Sequence, residues 1–359
     1  MDMLDHIDRV DNEPIGRVIR DGLNPFEEYS ERTFINRFRL SKEAVLILLN
    51  EINIVDNYKE TFYTVPAMLQ LLITLHFFSS SCYQRTDGDI FGIHRTTVCR
   101  IVKKISWAIA SLSNRYITFP DNRELLNVKS KFKDIAGISG IVGAIDCTHI
   151  PIVSPGGDNA ELYRNRKGFF SINVQAICDA DLMITNLVAR WYGSSHDNRI
   201  FENSEIYLKF ENNEIQGILL GDNGYGLKRY LLTPVLNPNT HEERHYNLAH
   251  SKTRVKVENL FGVLKRRFPC LSQKLRLKQE TTLVVIVACC VLHNICRARN
   301  MENDEFIENN GPEQPEAIVD IPPVNRADMN GIAQRNLVIR TLNREHRYFM
   351  QIYSIKHGL

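Results

Sequence analysis

Three acidic residues have the type and spacing of a metal-binding site. Asp146 follows the apolar run Gly140–Ile145, Asp222 follows the run Ile215–Leu220 after one glycine, and thirty-five residues separate Asp222 from Glu258. Two aspartates at corresponding ends of neighbouring strands repel each other unless a cation neutralises them. Carboxylate oxygens hold hard ions such as Mg²⁺, and two ions roughly 4 Å apart can activate an attacking oxygen and stabilise a leaving one. The pattern therefore predicts a two-metal site.

The third acid, Glu258, lies in a helix that we predict from Arg254 to Phe268, stopped by Pro269. At 100° per residue, Arg254 and Lys265 fall within about 40° of Glu258, on one stripe of this helix. An apolar stripe, centred roughly 90° away, would pack the helix on a sheet. A solvated basic and acidic face is the alternative, but the two strand-terminal aspartates favour a metal ligand flanked by phosphate-binding cations. The apolar stripe consists of Val257, Phe261, Leu264 and Phe268.

The elements around these acids predict an α/β fold in the order β, β, β, α, β, β, α. Beta-rich runs at Phe169–Cys178 and Leu182–Trp191 flank a hairpin turn, so the first three strands are expected to be antiparallel. A helix from about Asn198 to Phe210 and a short strand at Leu231–Val235 follow. This order matches a ribonuclease H-like catalytic core, with a mixed five-stranded sheet and flanking helices, in which the first and fourth strands are neighbours.

A helical region precedes this core. A helix beginning at Thr64-Val65-Pro66, a short helix over Tyr83–Phe91, a turn at Gly92 and a basic helix opening at His94 together describe a helix-turn-helix. An ordinary helical bundle with a basic face remains the alternative. The predicted organisation is a helical lead-in over 1–60, a helix-turn-helix-like region over 61–135, a nuclease domain over 136–300, and an acidic linker with a C-terminal helix over 301–359.

Basic residues are concentrated near the predicted site although the formal net charge of the chain is only +2. Between Lys252 and Lys278 there are nine lysines and arginines against one acid, Glu258. Such a strip would bind the phosphate backbone of DNA in a salt-sensitive, sequence-independent way. The predicted DNA-binding residues are Arg95, Arg100, Lys103, Lys104, Arg164, Arg166, Lys167, Arg254, Lys265, Arg266 and Arg267.

Three other groups of residues could be read as sites. Histidines four apart on a helix can bind zinc, but no cysteine pair accompanies them. A cysteine- and histidine-bearing helical face among valine, isoleucine and leucine is better explained as a buried core. A contiguous serine, histidine and aspartate is not a catalytic triad, because adjacent side chains point apart. The groups are, in this order, His241, His245 and His250; Cys289, His293 and Cys296; and Ser195, His196 and Asp197.

The cysteines and the apolar segments bear on where the protein acts. Eight cysteines show no Cys-x-x-Cys spacing and mostly lie in apolar runs, which is typical of reduced, buried thiols. The acidic N-terminus is not a signal peptide, and the most apolar helix, Thr281–Cys296, is too short to span a membrane. We expect a soluble intracellular protein with no membrane partner.

Several motifs taken in order resemble the PIF/Harbinger-type DDE transposases, including the host nucleases derived from harbinger transposases. The resemblance covers roughly residues 60–300 and implies that Asp146, Asp222 and Glu258 form the DDE triad. Asp197 matches a further acid of the family pattern, which implies a role at the metal site. In more distant transposases a tyrosine precedes the arginine of the last motif by three positions, where this chain has Ser251. The motifs are Gly143-Ala-Ile-Asp-Cys-Thr-His149, Tyr163-Arg-Asn-Arg-Lys167, Ser195-His-Asp-Asn-Arg199, Gly221-Asp-Asn-Gly-Tyr225 and Arg254-Val-Lys-Val-Glu-Asn-Leu-Phe-Gly262.

The resemblance implies a metal-dependent DNA nuclease or transposase, with two Mg²⁺ or Mn²⁺ ions as cofactors. Such an enzyme hydrolyses phosphodiester bonds and can join the new 3′ ends to target DNA. Its expected partners are DNA and a Myb-like DNA-binding protein, its expected location is the nucleus, and homo-oligomerisation and a cytoplasmic pool are left open. The alternative is a domesticated host protein that keeps the fold but serves as a DNA-binding or scaffolding subunit.

Overall fold

A five-stranded sheet forms the centre of the computed structural model, which describes residues 25–52, 65–80, 90–301 and 328–357. Its strand order is β3-β2-β1-β4-β5. The first three strands are antiparallel neighbours, and β4 and β5 extend the sheet in parallel from β1. The predictions of a mixed five-stranded sheet and of neighbouring first and fourth strands are confirmed. The strands are β1 (Ile141–Pro151), β2 (Ser171–Cys178), β3 (Ile184–Tyr192), β4 (Ile218–Leu220) and β5 (Leu231–Leu232).

Strand β1 does not end at Asp146 as predicted, but continues to Pro151. Its first part pairs with β4 as far as Ala144 opposite Leu220, and its second part pairs only with β2. The apolar run stops at Asp146 because one neighbour ends there, while hydrogen bonds to β2 keep the backbone extended. Asp146 and Asp222 each lie two residues beyond the Ala144–Leu220 pair, which brings the two aspartates to the same point on the sheet.

Two short helices cover one face of the sheet where a single helix was predicted. Helix α8 (Asp197–Glu202) ends before Ser204, whose hydroxyl accepts a hydrogen bond from the backbone of Tyr207 and so starts α9 (Glu205–Glu211). Because a serine N-cap favours a new helix start, the chain changes direction there. The buried side chains of this face include Val142, Ile145, Ile177, Phe201 and Phe210.

The opposite face packs against α10 (His241–Arg267). This helix was predicted to begin at Arg254, but it begins with a capping box in which Thr240 and Glu243 satisfy each other's backbone N–H groups. Its charged first half hides the start from a periodicity analysis. That half is buried instead by the C-terminal helix α12 (Met329–His357), through a cluster with Tyr246, Ala249, Val338 and Leu342.

Helix α11 (Gln279–Ala298) is the core helix of the protein. With 20 residues it is long and apolar enough to cross a membrane, so the prediction that it is too short was wrong. However, 78% of its most apolar 18-residue stretch is buried inside the protein. Asn294 ties it to β3, accepting a hydrogen bond from the Ile184 N–H at 2.9 Å and donating to the Ile184 and Tyr116 carbonyls at 2.8 and 2.7 Å.

The N-terminal helices complete the core. Helix α4 (Ala67–Ser80) and helix α5 (Arg95–Ala110) pack on each other, and α5 also packs on α11. The predicted middle helix of the helix-turn-helix falls mostly on residues 81–89, outside the described residues, so the helix-turn-helix stays a prediction. The predicted acidic linker over 302–320 also lies outside them. The remaining helices are α1 (Pro25–Glu28), α2 (Glu31–Phe38), α3 (Lys42–Ile52), α6 (Ser113–Tyr116) and α7 (Glu124–Ala136).

Candidate metal centre

Three aspartates converge where β1 loses its β4 neighbour. Asp146 lies on β1, Asp222 follows β4, and Asp197 is the first residue of α8. Each offers a carboxylate oxygen, and these oxygens all lie within 4.8 Å of one another. Carboxylate oxygens at this spacing can hold a hard divalent ion. In the described part of the chain, this is the one group of three or more acidic, histidine or cysteine side chains that close together.

Fixed hydrogen bonds orient these carboxylates. Asn173, on β2, donates from its amide to Asp197 Oδ1 at 3.1 Å and to the Ser195 carbonyl at 2.9 Å. The Gly224 N–H donates to Asp222 Oδ1 at 2.9 Å. Asp146 accepts from the N–H of Cys147 at 2.7 Å. Asp197 and Asp222 each have a second oxygen outside these hydrogen bonds, whereas the second oxygen of Asp146 accepts from Arg254. Outer contacts of this kind position carboxylates for a metal.

Burial raises the pKa of Asp146 well above its usual range, and repulsion from Asp222 adds to the effect, although Arg254 opposes it. The pKa of Asp222 is raised by burial and then by the charge of Asp197. Like charges in a partly buried site disfavour each other's ionised forms. A divalent cation would remove this repulsion, so the electrostatics of the cluster fit a metal.

Gly224 leaves the space that the carboxylates need. A Cβ at this position would lie 3.0 Å from Asp222 Oδ1 and 3.5 Å from Asp197 Oδ2. A side chain there would crowd the Asp222 carboxylate and touch that of Asp197, so glycine leaves the most room at this point. The residues present therefore fit a bound cation.

Glu258 does not join the three aspartates. The Arg254 guanidinium lies between them, donating from Nη1 to Asp146 Oδ2 at 3.0 Å and from Nη2 to Glu258 Oε1. Arg254 is therefore not a free surface cation gripping phosphate, as its position on the helix had suggested. Its side chain is 19% exposed and is occupied by two carboxylates.

Two side-chain contacts beside the site were not predicted from the sequence. The Cys147 thiol lies 3.4 Å from the Tyr225 hydroxyl, and burial raises the pKa of both groups well above their usual ranges. Alternation along β1 could have indicated that Cys147 faces away from Asp146. The contact between Asn173 and Asp197 crosses from β2 to α8 and has no local signal.

The predicted DNA-binding residues differ in accessibility. Arg267 is only 3% exposed and donates to the Met301 carbonyl, so its assignment to a DNA surface was wrong. Arg164 is exposed, but its guanidinium donates to Glu161 and to the Gly168 carbonyl and so links two parts of its own loop. The exposed residues are Arg95, Arg100, Lys103, Lys104, Arg164, Arg166, Lys167 and Arg266, and Lys265 is half-buried.

Arg166 lies near the candidate metal site. Its guanidinium contacts Nδ1 of His196, the exposed residue that directly precedes Asp197. Lys167 follows in the same exposed loop. These two cations thus lie on a loop that reaches the edge of the aspartate cluster.

The histidine group of α10 and the cysteine- and histidine-bearing face of α11 are structural. His250 is buried with Nε2 on the Leu232 carbonyl, whereas His245 contacts Asn343, so the histidines of α10 do not converge on a zinc ion. The cysteine- and histidine-bearing face of α11 is buried in the core, as expected, with His293 on the Leu182 carbonyl. The seven cysteines in the described residues are free.

Comparisons with known proteins show the family of this chain. A model of the DDE superfamily endonucleases matches residues 145–294, a span that contains all four acids. The chain is 34% identical over 238 residues to "Putative nuclease HARBI1" of Bos taurus and of Homo sapiens, covering 65% of this chain and 68% of each relative. It is 26% identical over 248 residues to the Arabidopsis thaliana "Antagonist of like heterochromatin protein 1", covering 63% of this chain and 61% of that protein. No solved structure matches significantly. The chain therefore belongs to the harbinger-type family of DDE endonucleases.

Proposed function

We propose that this protein is a divalent-metal-dependent DNA nuclease with a ribonuclease H-like core, which hydrolyses phosphodiester bonds. The observation that carries this proposal is the convergence of Asp146, Asp197 and Asp222 within 4.8 Å at the point where β4 ends. The strand order of the sheet supports the fold assignment, since parallel β4 and β5 continue an antiparallel three-stranded unit.

In this proposal Asp146, Asp197 and Asp222 hold Mg²⁺ or Mn²⁺, and Glu258 is the fourth acid of the site. The bound ions supply activation of the attacking oxygen and stabilisation of the leaving oxygen. The protein's own contribution is positional. Asn173 and Gly224 fix two of the carboxylates, so little reorganisation is needed at the moment of reaction.

The exposed cations suggest two DNA contacts. The first is the loop with Arg166 and Lys167 beside Asp197, which would hold phosphates near the scissile bond. The second is the solvent face of α5, where Arg100 and Lys103 are exposed next to Trp107, itself 53% exposed. Phosphate neutralisation by such residues gives salt-dependent binding to any sequence. We further propose a nuclear site of action together with a DNA-binding partner of the Myb type.

Joining of 3′ ends to target DNA is a finer proposal that rests on the resemblance to transposases. The second candidate function, a host DNA-binding or scaffolding protein, is favoured by one observation: the basic face of α5 lies on a helix separate from the acidic site. The two functions predict different results in a cleavage assay.

The test is nicking of supercoiled plasmid in the presence of Mg²⁺, Mn²⁺ or Ca²⁺. We expect nicking with Mg²⁺ or Mn²⁺ by the wild type and its loss in Asp146→Asn and Asp222→Asn, with DNA binding retained. Asp181→Asn is the matched control, because that aspartate is exposed and pairs with Lys131 in the turn between β2 and β3. Equal nicking by wild type and Asp146→Asn would refute the nuclease; binding without any nicking would favour the scaffold.

A further inference from the structure

The structure contains a cation of its own inside the candidate metal site. Arg254 makes an ion pair with Asp146 at 3.0 Å and a second one with Glu258, four residues further along the same helix. Forked donation to two carboxylates uses the particular geometry of a guanidinium, which a lysine cannot reproduce. Glu258 is thereby held apart from the aspartates, whose oxygens already lie within 4.8 Å of one another.

The helix that carries Arg254 is fixed, so any rearrangement must come from the side chain. His250 is fully buried and bound to the Leu232 carbonyl, and Tyr246 donates to the Thr233 carbonyl at 3.1 Å. These contacts anchor the turns of α10 that precede Arg254 to β5 and the segment after it. The long side chain of Arg254 is 19% exposed, so a rotation of its own torsions can bring the guanidinium to solvent without moving the helix.

Charge balance gives a reason for such a rotation. Four ionised carboxylates carry four negative charges, and Arg254 cancels one of them. A single divalent ion on the aspartates leaves the site with one net negative charge while the guanidinium stays in place. A second ion would leave one net positive charge, which a phosphate group would neutralise by pairing with the guanidinium.

We propose that Arg254 is an internal counter-ion that keeps Glu258 out of the metal site until a DNA phosphate takes over its guanidinium. This inference rests on the proposed function. One divalent ion then binds the three aspartates in the free protein, and the Glu258 carboxylate becomes a ligand for a second ion only when DNA is present. Arg254 acts as a positioning residue that links metal loading to substrate binding.

The experiment counts Mn²⁺ ions per chain by isothermal titration calorimetry and by electron paramagnetic resonance. Without DNA we expect one ion in the wild type and two in Arg254→Gln. Lys256→Gln removes the same charge from the same helix without touching the carboxylates and should still bind one. The double variant Arg254→Gln/Glu258→Gln should return to one, because the second ion needs Glu258.

A duplex oligonucleotide should raise the number of bound Mn²⁺ ions from one to two in the wild type and leave it at two in Arg254→Gln. The Glu258→Gln protein should keep one ion of its own, so any further ions counted with it are those bound by the DNA. Should Arg254→Gln not fold, Arg254→Met serves instead, since it keeps an extended side chain and removes the charge. Two ions in the DNA-free wild type, or one in every variant, would overturn the inference and leave the nuclease intact. No bound Mn²⁺ in any protein would overturn both.

Discussion

Two buried histidines should make the stability of this protein fall steeply below pH 6.5. Burial lowers the pKa of His250 to about 4 and that of His293 to about 3, against an ordinary value of 6.5. Each histidine stays neutral in the folded protein and accepts a proton only after unfolding. The stability is therefore fully present above pH 6.5 and is lost as the pH falls toward the folded pKa values.

The size of the effect follows from the lowered pKa values. One pH unit below 6.5 costs about 1.4 kcal/mol for each histidine that is protonated only in the unfolded chain. At pH 5 the two residues together should cost about 4 kcal/mol, a large share of the roughly 5–15 kcal/mol that stabilises a typical domain. The acidic site works in the opposite direction, because the raised pKa of Asp146 favours the folded protein as the pH falls.

Urea unfolding at pH 7.5 and pH 5 measures the difference. His250→Gln should reduce the pH-dependent loss by about 2 kcal/mol, and a double variant with His293→Gln should remove most of it. His241→Gln is the matched control, because His241 is exposed at the start of the same helix. If the double variant lost as much stability between the two pH values as the wild type, the two buried histidines would not be the source of the pH dependence.

Three further substitutions test the structure. Gly224→Ala should weaken Mn²⁺ binding about tenfold in a calorimetric titration, since its Cβ crowds the Asp222 carboxylate, whereas an unchanged affinity would show that the site does not need glycine here. Asn294→Leu should cost about 3 kcal/mol or more in urea unfolding, because it leaves buried backbone groups without partners; a loss under about 1 kcal/mol would mean that water replaces the amide. Gly217→Ala should cost about 1–3 kcal/mol, since its Cβ would lie 2.2 Å from a methyl group of Val142, and an unchanged melting temperature would contradict this packing.

The sequence predicted the sheet and two of the acids well because those features are local. The positions of Asp146 and Asp222 can be predicted from neighbouring residues alone, because each follows an apolar run. The length of β1 could not be predicted, because it depends on where β4 stops pairing. The start of α10 did have a local signal, the capping box of Thr240 and Glu243, but the burial of its charged first half depends on α12, which is almost a hundred residues away in the chain.

In the candidate site, too, local features could be predicted from the sequence and contacts between distant residues could not. Helical phase placed Arg254 and Glu258 on one stripe, and the structure has them paired there. Phase alone could not show that the guanidinium would turn toward Asp146 instead of toward solvent. Arg267 was misassigned because a basic residue in a basic run gives no sign of burial, and only the packing of the end of α10 reveals it.

The docking of α12 has a consequence for synthesis of the protein on the ribosome. Arg335 donates to the Thr233 and Pro234 carbonyls, and Val338 and Leu342 cover the first half of α10. Since a ribosome adds residues in order, α10 emerges long before the helix that buries its first turns. Those turns, and the β5 segment beside them, stay open to chaperones until α12 has been made. A nascent chain therefore completes the support of its acidic site only once α12 has been made.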